Sequence, residues 1–114
     1  MNIEPGELFW ISPNESNGIA SNHTRPYLAI RSDTSNTVTV CALTSNLKRA
    51  TGPGNVLLDK GEANLSRQSV IVVSKVFTVD KMQLGEYIGT LTEQRMHQVL
   101  AGIRFLRSMI RHYE

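Results

Sequence analysis

The sequence predicts a mainly β domain: a small barrel or sandwich of about five to seven short, mostly antiparallel strands with one C-terminal amphipathic helix beside it. Three observations predict it. Apolar, β-branched segments of strand length recur between turn signals as far as Gly89. Pro, Gly, Asn, Asp and Ser gather in the stretches between them. Only the last part of the chain changes to helical spacing, with Met96, Val99, Leu100, Ile103, Leu106 and Ile110 on one stripe.

Taken in order, Glu7 to Ser12 is rich in β-formers and reads as a short strand. Pro13 to Thr24 is a long polar loop of Asn, Ser and Gly, a type that in compact domains carries function. Pro26 lacks an N–H and fits the start of the strand that runs to Ile30. Asp33 to Asn36 is a turn. Thr37 to Thr44 becomes apolar on both faces, the pattern of a central strand. Ser45 to Gly54 reads as a second flexible loop, Asn55 to Asp59 as a strand and Lys60 to Arg67 as a connection. Ser69 to Phe77 is again apolar on both faces, Thr78 to Leu84 has room for a short helical turn, and Glu86 to Gly89 is a short strand. Thr92 is a good N-cap for the helix, with Glu93 in its positive first turn and Leu91 spaced from Met96 for a hydrophobic staple. The stripe is expected to be core.

A chain of 114 residues makes one domain, expected to span 1–114, and burial of roughly two-thirds of its unfolded surface supports a single core. Hydrophobic residues make up 40% and charged residues 19%, ordinary for a soluble globule, and the net charge is only +2. Nucleic-acid contact is therefore permitted by charge but not indicated by it. The basic residues are uneven, with Arg95, Arg104, Arg107 and Arg111 in the final segment. Cys41 is the single cysteine, so no intrachain disulfide forms, and within an apolar strand it reads as a small core residue. The first residues do not form a signal peptide and no apolar run reaches membrane-spanning length, so the expected location is cytoplasmic, with no membrane partner. No Cys/His spacing fits zinc, and Gly52-Pro53-Gly54 lacks the lysine and hydroxyl of a phosphate loop. Neither a metal nor another cofactor is expected.

The chemistry starts from two strand ends. Arg25 opens one apolar strand and Thr44 closes the next, so a guanidinium and a hydroxyl can meet around one phosphate. Arginine holds phosphate oxygens with a planar, permanently charged fork, and threonine adds a donor. Arg25 is too weak a base for proton abstraction, which leaves it the stabilisation of charge. Ser45 is a second hydroxyl donor. His23, two residues before Arg25, has the pKa range for a general base, and Glu15 in the same loop is a second option and a possible substrate contact. Tyr27 is the candidate stacking platform, and Lys48, Arg49 and Lys75 are candidate backbone contacts.

The order of these pieces resembles the MazF/PemK/Kid family of bacterial toxins. The matching pieces are Gly6 to Trp10, Arg25 to Ile30, Val38 to Ser45, Ser69 to Val73, Thr78 to Lys81 and Ile88 to Leu91. The resemblance implies an SH3-like barrel with a C-terminal helix and the endoribonuclease toxin of a type II toxin–antitoxin system. It further implies a homodimer that cuts single-stranded RNA without metal, by 2′-hydroxyl attack, and is neutralised by a cognate antitoxin. On this basis Arg25, Thr44 and His23 are the catalytic candidates. The chain departs from the family pattern in its first loop, which lacks the usual Gly-X-Glu-Gln. It departs again at Ser74-Lys75-Val76-Phe77-Thr78, where the family has Asp-Gln-X-Arg-Thr. Two alternatives follow. One is a weak or inactive member that binds RNA or an antitoxin without cutting. The other is a gyrase poison of the CcdB type on the same fold, disfavoured because the ending at Arg111 to Glu114 is not Trp-Gly-Ile.

Overall fold

The computed structural model describes residues 2–12 and 24–112. Among these residues six strands, β1 (Glu7–Ile11), β2 (Arg25–Ser32), β3 (Thr37–Thr44), β4 (Val56–Leu58), β5 (Ser69–Asp80) and β6 (Leu84–Thr90), precede one α-helix, α1 (Glu93–His112). They form a single sheet in the order β4-β5-β3-β2-β1-β6, every pair antiparallel. The mainly β fold with a C-terminal helix is as the sequence predicts. β3 and β5 both supply residues to packed clusters on the two faces of the sheet, Cys41, Leu43, Ile71 and Val73 to one and Val38, Val40, Ala42 and Val79 to the other, which is why their residues are apolar on both faces.

Alternate residues along the strands feed two cores, as the period of two in a pleated sheet requires. Leu8, Leu28, Cys41, Leu43 and Ile71 face α1 and pack with its Met96, Val99 and Ile103. Phe9, Ile11, Tyr27, Ala29, Val40 and Ala42 build the second cluster. Cys41 is fully buried and its thiol donates to the Val72 carbonyl at 3.2 Å; burial pushes its pKa up to about 12. It is a core residue, as expected.

Several boundaries differ from the sequence reading. β5 runs on to Asp80, and the helical turn expected over Thr78 to Leu84 is confined to a 3-10 turn at Lys81–Gln83. β5 bends midway: Cys41 pairs with Val76 but Leu43 pairs with Ile71, so the intervening residues of β5 have no one-to-one partners on β3. The stretch read as a second flexible loop is instead a compact 3-10 turn, Leu47–Thr51. The Asn46 side chain accepts from the Lys48 N–H, while Asn55 donates to the Arg49 carbonyl at 2.8 Å and accepts from the Val73 N–H at 3.0 Å. At the β2–β3 turn, the Thr39 hydroxyl and then the Arg31 guanidinium hold the Asp33 carboxyl below its ordinary range.

β4 and β6 are the sheet's two edges, and the 3-10 turn Glu62–Asn64 joins them. The Asn64 amide donates to the Ile88 carbonyl at 3.0 Å, and the Ala63 carbonyl lies against Gly89 so closely that a Cβ there has no space. An edge carbonyl that faces solvent in an open sheet is thereby satisfied.

Thr92 caps α1 by accepting from the Arg95 N–H at 3.2 Å, with Leu91 and Met96 both buried beside it. The apolar stripe is only partly core. Met96, Val99 and Ile103 are buried and Leu106 packs at the margin, but Leu100 is half-buried outside the cluster and Ile110 is 53% exposed. Gly102 turns the contact face by its close approach to Gly54, whose carbonyl occupies the place a Cβ would take. Gly54 itself has φ +76, which glycine adopts without strain. Ile103→Ala is therefore expected to cost roughly 2–5 kcal/mol through the cavity it leaves, and Leu100→Ala distinctly less. Urea unfolding checks both; equal losses at the two positions would show that the helix docks on a different face.

Candidate active site

Strand register brings the first two candidates together. β2 and β3 pair Tyr27 with Ala42 and Leu28 with Cys41, and the same register carried two residues further sets Arg25 opposite Thr44. Both are half-buried and both line a cleft of about 570 Å³. The volume lies within the range of sites for small molecules or nucleotides, roughly 300–1,000 Å³. The Thr44 hydroxyl accepts from the Asn46 N–H at 3.2 Å, which leaves its proton to be donated into the cleft. Ser45 is exposed on the same rim.

A second wall of the cleft was missed by the sequence reading. It comprises Asn64, Leu65, Ser66 and Arg67, from the connection between β4 and β5, and Ser69, the first residue of β5. Arg67 lies two residues before the apolar strand β5, much as Arg25 opens β2, and that parallel was the signal available in the sequence. Trp10, paired with Pro26 across β1 and β2, lines the cleft half-buried. Among the described residues that line the cleft there is no Asp, Glu or His.

Other candidates lie elsewhere. Tyr27 is 3% exposed with its ring in the second core, so it offers no face for a base. Burial pushes the Tyr27 phenol up, and the nearby Arg25 charge pulls it partly back. Lys75, with Ser74, is exposed at the bend of β5 and does not line the cleft. Phe77 packs against the second core. Lys48 and Arg49 sit in the turn Leu47–Thr51, which follows the Ser45 rim but is not part of the lining. His23 and Glu15 lie outside the described residues. Thr24, which follows His23 in sequence, lines the cleft and its hydroxyl is 3.2 Å from that of Ser12. Among the described residues no group of three His, Cys, Asp or Glu side chains is placed to hold a metal ion.

The family described as PemK-like, MazF-like toxin of type II toxin–antitoxin systems matches residues 4–106. The chain belongs to this family. Among its relatives, endoribonuclease MazF2 of Mycobacterium bovis is 34% identical over 109 residues, covering 91% of this chain and 96% of that protein. Endoribonuclease MazF of Staphylococcus epidermidis is 31% identical over 101 residues, covering 85% of this chain and 84% of that protein. A solved mycobacterial endoribonuclease in complex with its cognate antitoxin shares the fold with a TM-score of 0.70, at 17% identity, over 90% of this chain and 91% of the other. Membership in this toxin family goes against the gyrase-poison reading. No helix among the described residues is long and apolar enough to cross a membrane.

Proposed function

We propose that this toxin-family chain is an endoribonuclease that cuts single-stranded RNA by attack of a ribose 2′-hydroxyl on the adjacent phosphorus. The observation that carries the reading is the register that sets Arg25 opposite Thr44 within one cleft. The 2′-oxygen bonds to phosphorus as its proton passes to a base, and the bond to the 5′-oxygen breaks as that oxygen gains a proton. The products are a 2′,3′-cyclic phosphate and a free 5′-hydroxyl. Arg25 holds the charge that builds on the non-bridging oxygens, and Thr44, with Ser45 beside it, donates to one of them or to the leaving oxygen. His23 is the base in this scheme, since it precedes in sequence Thr24, which lines the cleft, with Glu15 as the second option.

The reading extends to a single functional domain over 1–114, acting in the cytoplasm as a homodimer. It also includes neutralisation by a cognate antitoxin, by analogy with the mycobacterial endoribonuclease solved with its own. Long single-stranded RNA incubated with the protein and a chelator is expected to yield fragments with cyclic-phosphate ends. Loss of cleavage in chelator, with magnesium restoring it, overturns the mechanism. RNA that is bound but left intact supports the reading as an inactive binder instead.

A further inference from the structure

The wall of the cleft that the β4–β5 connection supplies is held at many points. Ala63 and Asn64 both adopt left-handed backbone, at φ 49 and φ 64, which costs free energy for residues with a Cβ. Such strain persists only where surroundings over-determine it, and several contacts do so here. Arg95 of α1 donates to Glu62 through Nε at 3.0 Å and Nη2 at 2.7 Å, Asn64 is tied to the Ile88 carbonyl, and Gly89 admits the Ala63 carbonyl. Leu65 is buried in the core beneath α1, and the Arg67 carbonyl accepts from the buried Ser69 hydroxyl at 3.0 Å. A stretch held at this many points presents its side chains from a fixed backbone.

The most exposed charge on that wall is Arg67. Among the described residues it makes no ion pair, and no carboxylate lines the cleft to neutralise it. A lone structural arginine gains little from this position, whereas a polyanion laid in the cleft meets two guanidiniums, Arg25 and Arg67. With Arg25 opposite Thr44 on the reacting phosphate, a strand of RNA brings its next phosphate within the same cleft.

We propose that Arg67 is a second RNA-binding residue, holding the phosphate that flanks the scissile one. This rests on the reading of the cleft as an RNA site, and it assigns Arg67 a different share of the work from Arg25. A flanking phosphate keeps its charge from ground state to transition state, so Arg67 contributes uniform binding and Arg25 contributes to the barrier. Phosphate contacts also fix the register of a strand without reading its sequence.

The test compares wild type, Arg67→Ala and Arg67→Lys on a long single-stranded RNA and on a 2′-O-methylated copy that cannot be cut by 2′-attack. Arg67→Ala is expected to raise KM about tenfold with kcat within about twofold, the division expected for uniform binding. On the methylated copy, its slope of log affinity against log salt should be shallower by about 0.7, the value for one lost phosphate contact on a single strand. Arg67→Lys should keep most of that slope, because a flanking phosphate needs charge more than the guanidinium fork. An unchanged KM and salt slope in Arg67→Ala overturns the inference, as does a fall in kcat at constant KM. If wild type binds the methylated copy but leaves the parent RNA whole, the nuclease reading fails while the salt slope still decides the role of Arg67.

Discussion

Arg25→Ala is expected to remove RNA cleavage by about two to three orders of magnitude in kcat, on the scale of losing one preorganised donor to a developing oxyanion. The fold should survive, because Arg25 is only half-buried at the start of β2 and Pro26 beside it retains its place opposite Trp10. Arg25→Lys should recover only part of the loss, since lysine supplies the charge without the planar fork. The mutant also carries an internal control. The Arg25 charge holds down the pKa of the buried Tyr27 phenol, so its removal should raise the Tyr27 titration further while the melting temperature stays near that of wild type. Single-turnover cleavage and a spectroscopic tyrosine titration check both halves. A folded Arg25→Ala protein with full activity would remove Arg25 from the mechanism.

His23→Gln is expected to lower kcat by about two to four orders of magnitude, the usual share of a general base. The composition of the cleft makes the demand for such a residue definite. Its described lining supplies two arginines, hydroxyls, an amide and apolar groups, but no carboxylate or imidazole to take the 2′-proton. His23 precedes Thr24, which does line the cleft, and an imidazole titrates in the useful range. A histidine base acts deprotonated, so wild-type kcat/KM should rise with pH through the histidine titration and then level off. His23→Gln should remove that rising limb and not merely scale the profile. Normal cleavage by His23→Gln, with the limb intact, would transfer the role to Glu15 or to a water.

These two residues were legible in the sequence for different reasons. Arg25 stands out because Pro26 fixes a strand start, and a strand start fixes where the arginine emerges. Thr44 follows from the apolar run of β3, whose end is marked by Ser45 and Asn46. His23 stands out through its neighbour alone. The succession of strands along the chain, the cap at Thr92 and the burial of Cys41 were also readable, since each depends on local pattern: alternation, a capping hydroxyl, or a thiol within an apolar run. Leu100 shows the limit of the same method. It falls on the helical stripe by spacing, yet Gly102 rotates the docking face towards Gly54 and leaves Leu100 half-buried. A glycine inside an otherwise good helix is costly by about 1 kcal/mol relative to alanine, and so marks a close approach, but it does not say to what.

Composition and periodicity by themselves determined that this chain is a small antiparallel β domain with one docked helix, and that Arg25 and Thr44 stand at adjacent strand ends. Those features depend on residues near one another in sequence, or on the pairing of consecutive strands. Tertiary structure alone decided which side chains share the cleft. Arg67 joins Arg25 because the turn after β4 crosses to β6, bound through Glu62 to Arg95, through Asn64 to Ile88 and by the close fit of Ala63 on Gly89. Tyr27 and Lys75 are excluded, the one by the direction of the pleat into the second core and the other by the bend of β5. The physical reason is the same in each case: which face of a strand meets solvent depends on what the far end of the chain packs against, and local pattern carries no record of that partner.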